Sequence, residues 1–111
     1  MITVGIFDLA SDFAEDKDVA AKVRDTKIRP ALEVGDEVIL DFTRVDLTTQ
    51  SFIHAMISDV LRVKGEEALD GIAFKGCQQG VQGIIETVIQ YSLETTEDRD
   101  LDAGGSDTRP S

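Results

Sequence analysis

The sequence has no tryptophan, one tyrosine, two prolines and a single cysteine among its 111 residues. One cysteine, Cys77, can form neither an internal disulfide nor a cysteine-based zinc site alone, which fits a reducing compartment. No apolar run approaches the ~18 residues of a membrane span. The first residues also lack the basic and apolar segments of a signal peptide. We therefore expect a cytoplasmic protein whose core is filled mainly by aliphatic side chains.

Basic residues are also scarce. Eleven Lys and Arg stand against 22 Asp and Glu, which gives a net charge of −11. This field repels nucleic-acid phosphates and anionic lipids, so neither nucleic acid nor a membrane surface is an expected partner. It suits a protein partner with a basic surface. The length has room for one domain.

The apolar pattern predicts strands alternating with helices. The strands are expected at residues 2–7, 37–42 and 72–74, and the helices at 18–32, 49–64 and 79–93. Within the first helix, Pro30 predicts a kink or break near Arg29. The apolar run Val38–Phe42 is expected in a strand that is covered on both faces. This β-α-β-α-β-α order predicts an α/β domain with a mostly parallel central sheet and helices packed on it.

The composition changes from Thr95 onward, where acidic and small residues dominate and Leu101 is the only large aliphatic residue. Such a segment buries too little apolar surface to offset its loss of conformational entropy. The sequence therefore predicts a domain over residues 1–94 and an acidic, disordered C-terminal tail over residues 95–111.

Residues suited to catalysis are few. His54 is the only histidine, and no pattern supplies the nucleophile and acid that a triad needs. We expect it to be exposed on a helix face shared with Ser58 and Arg62. The glycines at 76 and 80 lack the Lys-Ser/Thr ending of a phosphate-binding loop. We therefore expect no enzyme activity, no cofactor and no bound metal.

Two aspartates give one alternative. Asp8 and Asp41 follow predicted strands, and carboxylates at such strand ends can hold magnesium or accept a phosphoryl group. Receiver domains, which work in this way, have five βα units, whereas this chain offers three. A small phosphoacceptor or metal-binding signalling domain is thus the alternative to a binding module.

The most informative segment is residues 39–53, where an apolar strand leads into hydroxyl-bearing residues and then into an apolar helix. Thr48 or Thr49 can cap that helix. Ser51 and Thr49 also offer hydroxyls at a helix start, where the dipole and free N–H groups tolerate a phosphate. Both interpretations remain open from the residues alone.

The segments Val38–Val45 and Thr49–Ile53 resemble the STAS-like domains, in particular a small bacterial family of unknown function (DUF4325), over about residues 2–93. The family is distantly similar to anti-anti-sigma factors, in which a serine at this helix start is phosphorylated by a GHKL-type kinase. The ATPase domain of that kinase is also the binding partner. The Asp-Ser-Ser-Gly signature of those factors falls on residues 49–52. Gln50 then occupies the phosphoacceptor position, so Ser51 and Thr49 are the nearest candidates.

The resemblance implies a non-enzymatic regulatory module that binds a partner protein, such as a GHKL-type ATPase or kinase, through the helix starting near Thr49. The residues expected to contact that partner are Thr48, Thr49, Gln50, Phe52 and His54. A further alternative is a structural subunit, because the open edges of a small sheet need covering and predict a homodimer or hetero-oligomer.

Overall fold

The computed structural model describes the backbone of residues 1–101 and the side chains of residues 1–94. Three parallel strands form the central sheet: β1 (Ile2–Gly5), β3 (Val38–Asp41) and β5 (Ile72–Lys75), in the order β1-β3-β5. A second, two-stranded parallel sheet pairs β2 (Phe13–Ala14) with β4 (Leu47–Thr48). The predicted α/β class with parallel strands is confirmed.

Helical segments connect these strands: α1 (Ile6–Ala10), α2 (Lys17–Val23), α3 (Arg29–Glu33), α4 (Gln50–Ile53), α5 (Asp59–Lys64), α6 (Glu67–Asp70) and α7 (Gln79–Leu101). A π-helical turn, Arg24–Ile28, joins α2 to α3, and we call residues 17–33 the first long helix. Another π-helical turn, His54–Ser58, joins α4 to α5, and residues 50–64 are the second long helix. The short elements α1, α6, β2 and β4 were not predicted, because segments of two to five residues show no measurable periodicity.

Pro30 does not break the first long helix. Arg29 keeps helical angles, with φ −59° and ψ −47°, and its N–H donates to the carbonyl of Arg24, five residues earlier. The turn before Pro30 is therefore wider than an α-helical turn. A proline ring normally clashes with the carbonyl four residues before it, and the wider turn gives that ring room. Of the kink or break expected near Arg29, the break does not occur, and the irregularity in the helix there is the π-helical turn.

The two faces of the central sheet have opposite surroundings. Val4, Leu40 and Val38 point to one face and are buried in a single core together with side chains of the long helices. On the other face, Thr3, Ile39 and Ala73 lie side by side in register. Thr3 and Ala73 are exposed and Ile39 is half-buried, outside that core.

The expectation that β3 is covered on both faces is therefore wrong. Crossovers between parallel strands are right-handed. A sheet whose strands are added in one direction, as in the order β1-β3-β5, thus receives its crossover helices on one face. We call the other side the open face and define it by Thr3, Gly5, Ile39, Asp41, Ala73 and Lys75.

Helix α7 continues to Leu101, past the predicted end of the domain at residue 94. The rest of the predicted acidic tail, residues 102–111, lies outside the described residues. Among the residues that the structure describes, no helix is both long and apolar enough to cross a membrane.

Candidate functional site

The turn after β3 is fixed by Asp41. Its carboxylate accepts hydrogen bonds from the backbone N–H of Thr43 at 2.9 Å and from the Thr43 hydroxyl at 2.6 Å. The hydroxyl bond is the main cause that lowers the pKa of Asp41, helped by the N–H bond and by the charge of Lys75. Asp41 is therefore ionised at neutral pH, and its charge is partly used to hold the turn.

The second long helix begins as predicted at Thr49. The Thr49 hydroxyl accepts a hydrogen bond from the N–H of Phe52 at 3.1 Å, which caps the helix. The Thr48 hydroxyl instead donates to the carbonyl of Ala14 at 2.8 Å, which ties β4 to β2. Each threonine thus has a structural role of its own.

Two residues expected on the docking surface are not on the surface. Phe52 is fully buried, with no exposed area, and Thr48 is 7% exposed. Side chains three or four positions apart share one face of a helix, so Phe52 and Met56 face the core. Gln50, Ser51 and His54 point outward and are exposed. Phe52 and Thr48 are therefore too buried for the direct contact expected of them, whereas contact through Thr49, Gln50 and His54 stays a prediction.

A groove of about 560 Å³ opens at this helix start, between the first long helix, the second long helix and α7. We call it the helix groove; it is lined by Lys17, Gln50, Ser51, His54, Ala55, Val88 and Tyr91. Gln50, Ser51 and His54, which the sequence singled out, lie on it together. An apolar floor with a few polar groups is typical of sites that bind ligands or peptides.

Sequence analysis missed Lys17, Val88 and Tyr91, because they come from other helices. Tyr91 is 56% exposed although it is a large aromatic residue. The available signal was the one tyrosine of the chain, on a last helix whose other large apolar residues are all aliphatic. Its ring gives the groove an apolar contact with a polar end, a combination favoured at interfaces.

The two π-helical turns face each other. Arg24, in the first, donates from Nη1 to the carbonyl of Ala55 in the second at 3.2 Å. Nearby, Arg29 donates to Asp59 at 2.6 Å. These bonds fix the spacing of the two long helices and hence one wall of the helix groove. π-helical turns are frequent at functional sites.

Ser58 corrects another expectation. It was expected on an exposed face with His54 and Arg62, but it is 1% exposed and bonds the buried Ser92 hydroxyl of α7 at 3.0 Å. The π-helical turn contains this residue and shifts the helical phase, so four-residue spacing no longer keeps these residues on one face. His54 remains exposed and Arg62 is half-buried.

Asp8 and Asp41 do come together. With Gly5, Phe7, Thr43 and Arg44 they line a cleft of about 170 Å³ at the carboxyl ends of β1 and β3. The Arg44 guanidinium lies 4.1 Å from the centre of the Phe7 ring. Within residues 1–94, no group of three or more histidine, cysteine or acidic side chains could hold a metal ion.

Cys77 follows β5 and is half-buried. Burial raises the pKa of its thiol, and the nearby negative charge of Asp41 raises that pKa further. The thiol is therefore protonated at neutral pH, as in a structural cysteine.

A family model describing a STAS-like domain of unknown function (DUF4325) matches residues 19–82, which is more than half of the chain. The match extends from the first long helix into the first turn of α7 and includes the helix start at residues 49–54. It confirms the resemblance noted in the sequence. No curated protein and no solved structure matches the chain.

Proposed function

The chain belongs to the STAS-like domain family of unknown function, and we propose that it is a non-enzymatic protein-interaction module that regulates its partner. The partner docks in the helix groove. One observation carries this proposal: Gln50 and His54, expected from sequence to contact a partner, share one exposed groove with Ser51 and Tyr91.

The chemistry of the groove supports binding. Val88, Ala55 and the Tyr91 ring supply apolar contact, while Gln50 and Ser51 offer hydrogen-bonding groups that the capping of the helix does not use. The walls are the two long helices, which Arg24 and Arg29 hold together. A preformed groove reduces the entropy lost on binding.

The expected partner is the ATPase domain of a GHKL-type kinase. The family resemblance suggests this class, and the net charge of −11 favours a partner whose contact surface is basic. Lys17 and His54 are exceptions to the acidic character of the chain and lie in the groove itself. The lining of the groove contains no Asp or Glu, so its centre suits an acidic or polar group of the partner, whereas the basic surface of the partner would face the acidic residues outside the groove.

The test uses the GHKL-type ATPase encoded nearest to this chain in its genome, purified and titrated by calorimetry. Ser51→Arg places a long charged side chain in the groove, and we expect binding at least about tenfold weaker, as for an obstructed interface centre. Gln82→Arg is the matched control, because it adds the same charge to an exposed position of α7 that does not line the groove. Its affinity should stay within about twofold of the wild type.

Thermal melts of both variants verify that they fold. Equal affinity of Ser51→Arg and wild type would exclude the helix groove as the docking site. Equal losses in both variants would instead assign the effect to charge.

The same groove supports a second function, phosphorylation of Ser51. Its hydroxyl is exposed in the first helical turn, and Lys17 and His54 line the same groove. A phosphate there would lie near free N–H groups and these two side chains. Thr49 is the weaker candidate, because its hydroxyl already accepts the Phe52 N–H.

Intact mass spectrometry after incubation with the kinase and ATP tests this second function. We expect one added phosphate on the wild type and on Thr49→Ala, and none on Ser51→Ala. Phosphate retained by Ser51→Ala, or absent from all three, would contradict it.

A further inference from the structure

The open face is unusual for a parallel sheet. Parallel sheets occur almost only with both faces covered by other elements. Here Thr3 and Ala73 are exposed and Ile39, on the central strand, is half-buried and outside the core. Within the described residues, the central sheet therefore carries its helices on one face only.

The size of the open face limits what can cover it. Three strands about 4.8 Å apart and four residues long, at about 3.3 Å per residue, give a face of roughly 14 by 13 Å. That is roughly 180 Å², well below the about 800 Å² per partner of a stable protein–protein interface, so a contact through this face alone is weak and transient. An α-helix is about 10 Å wide, so one helix of two to three turns matches these dimensions.

The charges of the open face indicate which charge a helix bound there should carry. Asp41 lies at one end of β3 on this face, and its pKa is lowered by the Thr43 hydroxyl and N–H, so it is ionised. Glu37, the residue before β3, is exposed, and its carbonyl accepts the Ile2 N–H at 2.9 Å, which extends the β1–β3 pairing by one residue. Alternation along this extended segment assigns Glu37 to the same side as Ile39 and Asp41. The central strand thus presents an acid, an isoleucine and a second acid. Lys75 is the one basic residue of the face.

A second copy of the chain fits this face poorly. Each copy carries a net charge of −11, and two copies stacked face to face would place Glu37 and Asp41 near their own equivalents or near each other. Like charges in close contact oppose association. A basic partner gains from the same field.

We propose that the open face is a second docking surface, occupied by a basic amphipathic α-helix of a partner protein. Aliphatic residues of that helix pack on Ile39, and its Lys or Arg residues pair with Asp41 and Glu37. Thr3 and Ala73 are small, so the helix can approach the strands closely beside Ile39, while the Asp8 carboxylate lies next to Gly5 at the end of the face. This surface lies on the side of the sheet opposite the long helices and does not depend on the helix groove.

The test uses two synthetic helical peptides of equal length, one built from leucine and lysine and one from leucine and glutamate. Each is titrated into the isotopically labelled chain, and backbone amide shifts are recorded by NMR. The lysine peptide should shift the amides of Thr3, Ile39 and Ala73. The glutamate peptide should leave them unchanged.

Two substitutions separate the isoleucine contact from general attraction. Ile39→Thr keeps a strand-forming residue and removes the apolar contact, and it should weaken binding of the lysine peptide by roughly tenfold. Val63→Thr is the matched control, since Val63 is 78% exposed on α5 and away from the sheet; its affinity should be unchanged. The groove variant Ser51→Arg should also bind this peptide normally, which keeps this test separate from that of the helix groove.

Several results would overturn the proposal. They are the absence of shifts on the open face, equal binding of both peptides, shifts confined to groove residues such as Gln50 and His54, and equal affinity of Ile39→Thr and wild type. Shifts of the open-face amides that depend on protein concentration, without peptide, would show that a second copy covers the face.

Discussion

The two faces of strand β3 differ in burial, although both carry large aliphatic side chains. Leu40 and Ile39 are adjacent, and both are large aliphatic side chains. Leu40 has no exposed area and lies beneath the long helices, whereas Ile39 is half-buried on the open face. An apolar run in a sequence therefore shows that a strand can be covered on both faces, not that it is. The side on which the crossover helices lie decides the outcome.

The two faces of the sheet therefore have different roles. The covered face forms the core with residues of the long helices, such as Ile28, Phe52 and Ile57, and determines stability. The open face adds little to that core and remains available for contact. A residue on the covered face and its neighbour on the open face should therefore respond very differently to the same substitution.

The largest effect tests this division directly. Leu40→Ala removes a fully buried side chain and should lower the free energy of unfolding by about 2 to 5 kcal/mol. Ile39→Ala deletes a side chain of the same size from the open face and should cost less than about half as much, because no closed cavity forms. Urea denaturation followed by circular dichroism gives both values.

The exposed Val34→Ala serves as the reference, since Val34 is 79% exposed. Its cost should be within about 0.5 kcal/mol of zero. If Ile39→Ala cost as much as Leu40→Ala, Ile39 would be part of the core and the distinction between the faces would fail.

A second test concerns the loop that follows β5, where it approaches the turn after β3. Gly76 follows β5 with φ +69°, and a Cβ there would lie 2.3 Å from the Thr43 hydroxyl oxygen and 2.9 Å from the Thr43 nitrogen. Gly76→Ala should therefore cost about 2 to 4 kcal/mol, from backbone strain and steric overlap together. The close approach of Gly76 to Thr43 constrains the turn that follows Asp41.

Gly35→Ala separates the two causes. Gly35 has a similar φ of +77°, but nothing lies within 4 Å of its added Cβ. Gly35→Ala should therefore lower the free energy of unfolding by about 1 kcal/mol, from backbone strain alone. Equal costs at the two positions would mean that the contact between Gly76 and Thr43 contributes nothing.

Local signals predicted the elements of the sheet and the long helices well. The second long helix and its cap, expected at Thr48 or Thr49, followed from hydroxyl residues ahead of a regular apolar stripe; the helix is confirmed, and Thr49 is the residue that caps it. The first helix was expected from residue 18, but it begins at Lys17, and Asp16 caps it by accepting the Asp18 N–H. Such small shifts are expected where several acids are adjacent.

The non-local features could not be predicted from the sequence. The π-helical turns depend on how two helices meet, and they moved Ser58 from the expected surface to a contact with Ser92. The order β1-β3-β5 determined which face stays open, and no residue pattern encodes strand order. Three of the seven residues that line the helix groove, at positions 17, 88 and 91, are distant in the chain from the helix start.

The smallest expected effect concerns the charge of the open face. The pKa of Asp41 lies below its ordinary value of 3.8, chiefly because the Thr43 hydroxyl donates to the carboxylate. Thr43→Val removes that donor but keeps the N–H bond, so the pKa of Asp41 should rise toward its ordinary value. Thr43→Ser retains the hydroxyl and should leave the pKa nearly unchanged. Carboxyl carbon shifts followed by NMR during an acid titration measure each value.

The sign of the pH dependence follows from the direction of that shift. A carboxyl group whose pKa is lower in the folded state stabilises the fold above its unfolded pKa, and this contribution is lost as the pH falls through the folded value. Wild type should thus be slightly more stable than Thr43→Val at neutral pH, and this part of the difference should vanish in acid. If the titration curve of Asp41 were the same in Thr43→Val and in wild type, the hydroxyl would not hold the charge. The acidic end of the open face would then be set by Lys75 and the Thr43 N–H alone.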